Sequence, residues 1–192
     1  MLGFYNLWLI LAVVGVFACV VMAIGDKLRG VKIENKEDHL NTKANIVSMF
    51  PLLALFGVSL FTPIVVSILF WTGCALIILA GIIYVLSIMA FVRARNGLTT
   101  LGIYKISRNP MYVAMFLVFI AFALMAWAAS PAMGILTAVI ALSNIGVVHW
   151  MVLEEEHFLN KEYGDSYREY MNKVPRYVGV SKGEQNETET DR

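Results

Sequence analysis

The chain has 192 residues, of which 59% are hydrophobic and 15% charged, with a net charge of +1. A soluble surface carries about 25–35% Lys, Arg, Asp and Glu, so the composition argues against a soluble all-α protein and for an integral membrane protein. The near-zero net charge supplies no global field for nucleic acid, and two cysteines, Cys19 and Cys74, offer neither a disulfide framework nor a metal spacing.

In chain order, apolar runs predict about five spans, at 4–24, 46–61, 64–92, 111–129 and 132–152, judged against the ~20 residues a bilayer-crossing helix needs. The opening "MLGFYNLWLI" lacks the basic region of a signal peptide, so it is read as the first span. Both cysteines fall in spans and are expected to be small apolar core residues. The second run is short and holds Pro51, which predicts a kinked or re-entrant helix. Pro63 is expected to begin the third.

Between the third and fourth runs lies "GLTTLGIYK", residues 97–105, whose two glycines are five apart. No Lys-Ser/Thr follows the second glycine and no strand precedes the first, so this is no phosphate loop; Rossmann, HExxH and zinc spacings are also missing from the sequence. Next comes "KISRNPMYVAMF". Asn109 is a suitable N-cap and Pro110 a suitable first helical residue, so the fourth span starts here. Its positive dipole end, with Arg108 beside it, makes a ready anion site. Tyr112 adds an aromatic face and a hydroxyl.

"AASPAM", residues 128–133, predicts a tight turn that folds spans four and five into a hairpin. This brings "VLEEEHF" to the membrane level of Arg108. Glu154, Glu155 and Glu156 sit at a helix end whose dipole disfavours them. Asn144 lies three turns before Glu155 on one helical face and extends a polar stripe into the membrane, where polar groups tend to be functional. His149 reads either as an interface histidine or as a base. Beyond the span, Leu159, Tyr163, Tyr167, Tyr170 and Val174 recur at spacings of three and four, which predicts an amphipathic helical segment with a break at Gly164 and an end at Pro175. The stretch after Ser181 is polar, lacks aromatics and is expected to be disordered.

Every Lys, Arg, Asp and Glu falls in residues 25–45, 93–110 or 153–192. With five spans these segments share one side of the membrane. The positive-inside rule makes that side cytoplasmic and places the N-terminus outside.

"LGIYKISRNPMYV", a helical hairpin and "EEEHFLNKEYGDSYREYMNKVPRYV" together resemble the isoprenylcysteine carboxyl methyltransferase and phospholipid N-methyltransferase superfamily of membrane enzymes. Its pattern, G-x-Y-x-x-x-R-(H/N)-P-x-Y, a hairpin, E-E-x-x-L-x-x-x-(F/Y)-G-x-x-Y-x-x-Y and V-P-R, falls on residues of 96–178. The resemblance implies an all-α membrane fold in which the C-terminal helices close a cytosol-facing pocket for S-adenosylmethionine, released as S-adenosylhomocysteine. The family's cofactor positions fall on Leu98, Thr99, Tyr104, Arg108, Asn109, Pro110, Met111, Tyr112 and Glu155. Glu155, Glu156 and Arg108 are the candidates for catalysis, and Asn144, His149 and Arg176 for substrate contact. Neither metal nor nucleic acid is implied. The expected organisation is three N-terminal spans (1–92), a methyltransferase core (93–178) and a disordered tail (179–192).

Asn109 stands where the isoprenylcysteine branch usually has histidine, and Met151 stands near that branch's basic residue for a substrate carboxylate. The acceptor is therefore open among a phospholipid amine, a prenylcysteine carboxylate and a small thiol. The alternatives are a membrane sterol-type reductase using NADPH, disfavoured by the short chain and by "VPRYV", and a non-enzymatic protein that retains the fold.

Overall fold

The computed structural model describes residues 5–29, 42–94 and 97–178, with the side chains of 42–49 left aside. The tail expected to be disordered and the basic residues of 30–41 lie outside these segments. The described chain is helical: α1 (Trp8–Arg29), α2 (Thr42–Phe61), α3 (Ile68–Arg93), a 3₁₀ turn (Gly102–Lys105), α4 (Pro110–Ala129), α5 (Pro131–Tyr163) and α6 (Asp165–Lys173). Four of these, α1, α3, α4 and α5, are long and apolar enough to cross a bilayer, and α2 carries a shorter apolar stretch, Phe50–Phe61. The protein is an all-α, multi-pass membrane protein.

Neighbouring side chains give the helix directions. Tyr84 of α3 donates to the Ala18 carbonyl of α1 (3.2 Å), and Arg29 lies 3.7 Å over the Phe91 ring. The two helices therefore run parallel, with their basic ends together. Gly25 permits the close approach, since a Cβ there would lie 2.6 Å from the Ile88 methyl. Gly73 near the start of α3 meets Met125 and Ala121 near the end of α4, so α3 and α4 are antiparallel. Small residues at such crossings suit packing in lipid, where dispersion between backbones replaces the hydrophobic drive.

One expectation about a boundary is corrected. The third helix starts at Ile68, because Ser67 is extended and its hydroxyl caps Phe70 N–H (3.3 Å). Pro63 instead pairs with Asn6 in an isolated bridge, flanked by Leu7 N–H to Thr62 O (2.9 Å) and Ile64 N–H to Tyr5 O (2.8 Å). These bonds satisfy backbone groups that lipid would leave unpaired. The second helix runs through Pro51 without ending there. Cys19, expected in the core, is on the exposed side of α1, and Cys74 is half-buried.

The core joins Leu7 and Leu55 to Phe119, Phe122 and Met125 of α4 and to Ala141, Val148 and Val152 of α5. The hairpin forms as expected. Ser130 caps α5 by accepting from Met133 N–H (3.2 Å), with Pro131 in the first turn. The long α5 stops at Gly164, whose φ of 53° favours glycine. From there α6 turns back, and Tyr167 is buried under it.

Candidate active site

At the charged end of the hairpin, three stretches distant in sequence converge on one carboxylate. Glu156 is buried near the end of α5. Its Oε2 accepts from Arg176 Nε (3.0 Å) and lies 2.8 Å from Arg176 Nη2. Its Oε1 accepts from Asn109 Nδ2 (3.1 Å) and lies 3.6 Å from Arg108 Nη2. Backbone bonds tie the same stretches together. Arg108 N–H donates to Pro175 O (3.0 Å), and the Arg176 carbonyl accepts from Ser107 Oγ (3.3 Å) and Asn109 Nδ2 (3.2 Å). The segment Val174–Tyr177 thus closes over the start of α4 like a clasp.

Asn109 occupies the N-cap position as expected, but its side chain makes no capping bond. The amide reaches Glu156 and the clasp instead, and its own N–H is satisfied by Ser107 Oγ (3.1 Å). Pro110 is buried at the first helical position, and Met111 is half-buried.

Arg108 is the most telling member. Its side chain is 9% exposed, yet Nε and Nη1 are buried and have no hydrogen-bond partner. Buried polar atoms are nearly always paired, and an unpaired charged one is costly. Two free donors on a planar cation fit a carboxylate.

Glu155 does not face Arg108, contrary to the reading from helical spacing. It is exposed and accepts from the Tyr112 hydroxyl (2.8 Å). The buried stripe of α5 shows why: Asn144, Val148, Val152 and Glu156 follow at steps of four. Each such step drifts ~40° around a 3.6-residue helix, so three steps carry the packed face from the expected position 155 to 156.

Around this centre lie tyrosines. Tyr104, in the 3₁₀ turn, is buried, and its carbonyl accepts from the Tyr170 hydroxyl (2.6 Å). Burial raises the Tyr104 pKa, the nearby Glu155 adds to the rise and Arg29 opposes it. Burial likewise pushes Tyr167 up to about 12, with Glu156 adding and Arg108 opposing. These hydroxyls stay neutral donors at physiological pH. Arg176 is raised chiefly by its hydrogen bond to Glu156, with burial opposing. Leu98 and Thr99 are half-buried in the loop before the 3₁₀ turn.

Asn144 is not in this cluster. It is buried about 18 Å away along α5, twelve residues at ~1.5 Å each, and its Nδ2 donates to Pro51 O (3.1 Å) and Ile140 O (2.9 Å). The first of these ties α5 to α2. His149 lies between, with Nδ1 2.8 Å from the Tyr177 hydroxyl. Sequence reasoning missed Tyr177 and Ser107. Both adjoin motif residues, and Tyr177 is an aromatic that the helical stripe ending at Val174 does not account for. Two grooves lie apart from the cluster: one of about 320 Å³ between α1 and α3, and one of about 240 Å³ between α2 and α5. Among the described residues no three His, Cys, Asp or Glu side chains converge as a metal site.

The phospholipid methyltransferase family model matches residues 68–166, more than half of the chain. The chain belongs to this family. The match begins with α3, crosses the hairpin and ends at the start of α6, so it takes in Arg108, Tyr112 and both glutamates. No curated protein and no solved structure matches the chain. Family membership and the apolar helices together describe a membrane methyltransferase.

Proposed function

We propose that the protein uses S-adenosylmethionine to methylate a lipophilic amine, of the phospholipid type, at the cytoplasmic face of its membrane. The observation that carries this reading is Arg108, whose two unpartnered, buried guanidinium nitrogens await an anionic group beside the start of α4. The residues suit the cofactor. Arg108 would hold its carboxylate, Glu155 with Tyr112 would meet its ammonium or ribose hydroxyls, and Leu98, Thr99, Tyr104, Asn109, Pro110 and Met111 would shape the remaining walls. When bound, the cofactor supplies an activated methyl group.

The chain itself must bind, orient and exclude water, because alignment of the reacting atoms is the larger part of such catalysis. The clasp supports that task. Arg176, expected to touch substrate, is engaged by Glu156, so it acts in this reading by holding the clasp shut. Glu156 is surrounded by donors and serves as the anchor of the clasp rather than as a base. Residues 93–178 form the methyltransferase core in this reading, and the N-terminal helices form its support in the bilayer. An amine is favoured over a prenylcysteine carboxylate by the family match and by Met151, which offers no charge to a substrate carboxylate. The concentration of charge at one pole assigns that pole to the cytoplasm.

The test is binding of S-adenosylhomocysteine to the detergent-solubilised protein. A ligand selective for the folded state stabilises it by about 2.7 kcal/mol at a hundredfold excess over Kd. Arg108→Ala should weaken that binding by roughly thirtyfold or more, as loss of one member of a desolvated charged contact does, and Glu155→Ala, at an exposed position, should weaken it less. Arg93→Ala and Lys161→Ala, both at exposed positions, should bind as the parent does. Stabilisation by NADPH and not by S-adenosylhomocysteine would overturn the reading in favour of a reductase.

A further inference from the structure

An amine acceptor arrives protonated and must lose a proton before its nitrogen can attack. Three α5 groups bonded to the clasp or to the start of α4 are basic enough in kind to take it. Glu156 is enclosed by Asn109, Arg108 and Arg176. Glu155 is at the exposed end of α5 and holds the Tyr112 hydroxyl. His149 differs from both. It lies five residues inside Glu154, ~7.5 Å deeper along α5, and it is the first ionisable side chain met on entering the membrane from this pole of the helix. Ionisable groups at such depth are characteristically functional.

Its surroundings are built. Tyr177 reaches His149 from the clasp, twenty-eight residues further on, with the hydroxyl 2.8 Å from Nδ1. The Tyr177 ring is held edge-on to Phe116 of α4, centroids 5.1 Å apart. Its neighbour Arg176 is fixed by Glu156 and by two bonds to the Arg176 carbonyl. The hydroxyl that meets His149 is thus placed by the same contacts that close the site.

We infer that His149 is the base of the reaction, with Tyr177 as its positioning residue. This inference rests on the amine reading above. Nδ1–H donates to the Tyr177 oxygen, which fixes the tautomer and leaves the lone pair on Nε2. An N–H bond of the acceptor ammonium breaks and the proton passes to Nε2. The electron pair left on nitrogen forms the new bond to the methyl carbon, while the carbon–sulfur bond of S-adenosylmethionine breaks onto sulfur. The imidazolium then gives its proton to water at the charged pole. The charged and titratable groups acting on Tyr177 are Arg176, Glu156 and Tyr112.

The experiment uses the full chain in phosphatidylcholine nanodiscs, with and without phosphatidylethanolamine, in the presence of S-adenosylhomocysteine. In ¹⁵N-histidine spectra the His149 Nε2 resonance, assigned by its loss in His149→Gln, should shift with the primary-amine lipid, because Nε2 accepts a hydrogen bond from the ammonium. The choline lipid has no N–H and should leave it in place. In turnover with S-adenosylmethionine, His149→Gln should lose about a hundredfold or more of N-methylation while S-adenosylhomocysteine binding is kept. Tyr177→Phe should lose less. The inference is overturned if the resonance responds equally to both lipids, if His149→Gln turns over within about threefold of the parent, well below what general base catalysis contributes, or if cofactor binding falls in step with turnover. A parent protein that methylates only a carboxylate or a thiol refutes the amine reading and the base with it. One that binds no S-adenosylhomocysteine refutes the proposed function itself.

Discussion

The two ends of the α4–α5 hairpin are made of the same pair of helices and are held in opposite ways. At the tip the turn itself is set by local contacts. Ser130 caps its own helix, and Gly134 receives the Trp127 ring. No Lys, Arg, Asp or Glu occurs from Pro110 to Leu153. At the base, Arg108, Asn109, Glu156 and Arg176 arrive from three stretches and are held by ion pairs and charge-assisted bonds. One end is fixed by sterics and a cap, which makes the fold. The other is fixed by charge in a low-dielectric setting, where an unmatched group is costly, and this end holds the candidate site.

The comparison breaks most sharply if the base can lose its anchor without consequence. Glu156→Ala leaves two cations around an empty centre. Removing one side of a buried ion pair costs about 3–5 kcal/mol, so thermal unfolding in detergent should fall markedly and S-adenosylhomocysteine binding should be lost. An unchanged melting curve would show that the clasp is not held by charge.

At the tip the expected loss is smaller and of another kind. A Cβ at Gly134 would lie 2.5 Å from Trp127 Cε3 and 2.8 Å from its Cα. Gly134→Ala should therefore destabilise by about 1–3 kcal/mol, the usual range for overpacking. Activity per folded molecule should stay at the parent level, since nothing at the base is touched. Ser130→Ala removes the cap and should cost about 1 kcal/mol, read as a small drop in melting temperature with turnover intact.

The base should also show a pH signature that the tip lacks. Tyr167 is raised from 10.0 to about 12 in the fold. Between those values the unfolded chain releases the proton and the folded chain keeps it, so stability falls as pH rises from about 10 through about 12. Tyr167→Phe should flatten that alkaline decline. Smallest of all is Lys173→Ala, which breaks an exposed pair with Glu169 and should leave melting and turnover unchanged.

Much of the fold was legible because hydrophobic length and local chemistry carry it. The spans, the hairpin turn at Ser130, the break at Gly164 and the gathering of charge at one pole all follow from short stretches read alone. The errors share one cause. Pro63 reads as a helix start until Asn6 is seen paired with it. Asn109 holds the cap position it was read for, but Glu156 and Arg176 take the side chain a cap would use. In each case a distant partner outbid a local preference of about 1 kcal/mol.

The sequence by itself determined that the chain lives in a membrane, that its charge gathers at one pole, and that "SRNPMY" and "EEEHF" meet there, because periodicity and charge are properties of contiguous residues. Only the tertiary structure decided which glutamate faces inward. Glu155 and Glu156 stand ~100° apart, and the buried stripe drifts ~40° at each four-residue step along α5, so that it passes through Glu156. The structure alone also brought Tyr177 to His149 and left two nitrogens of Arg108 without a partner. These are relations between segments far apart in the chain, and no local pattern encodes them.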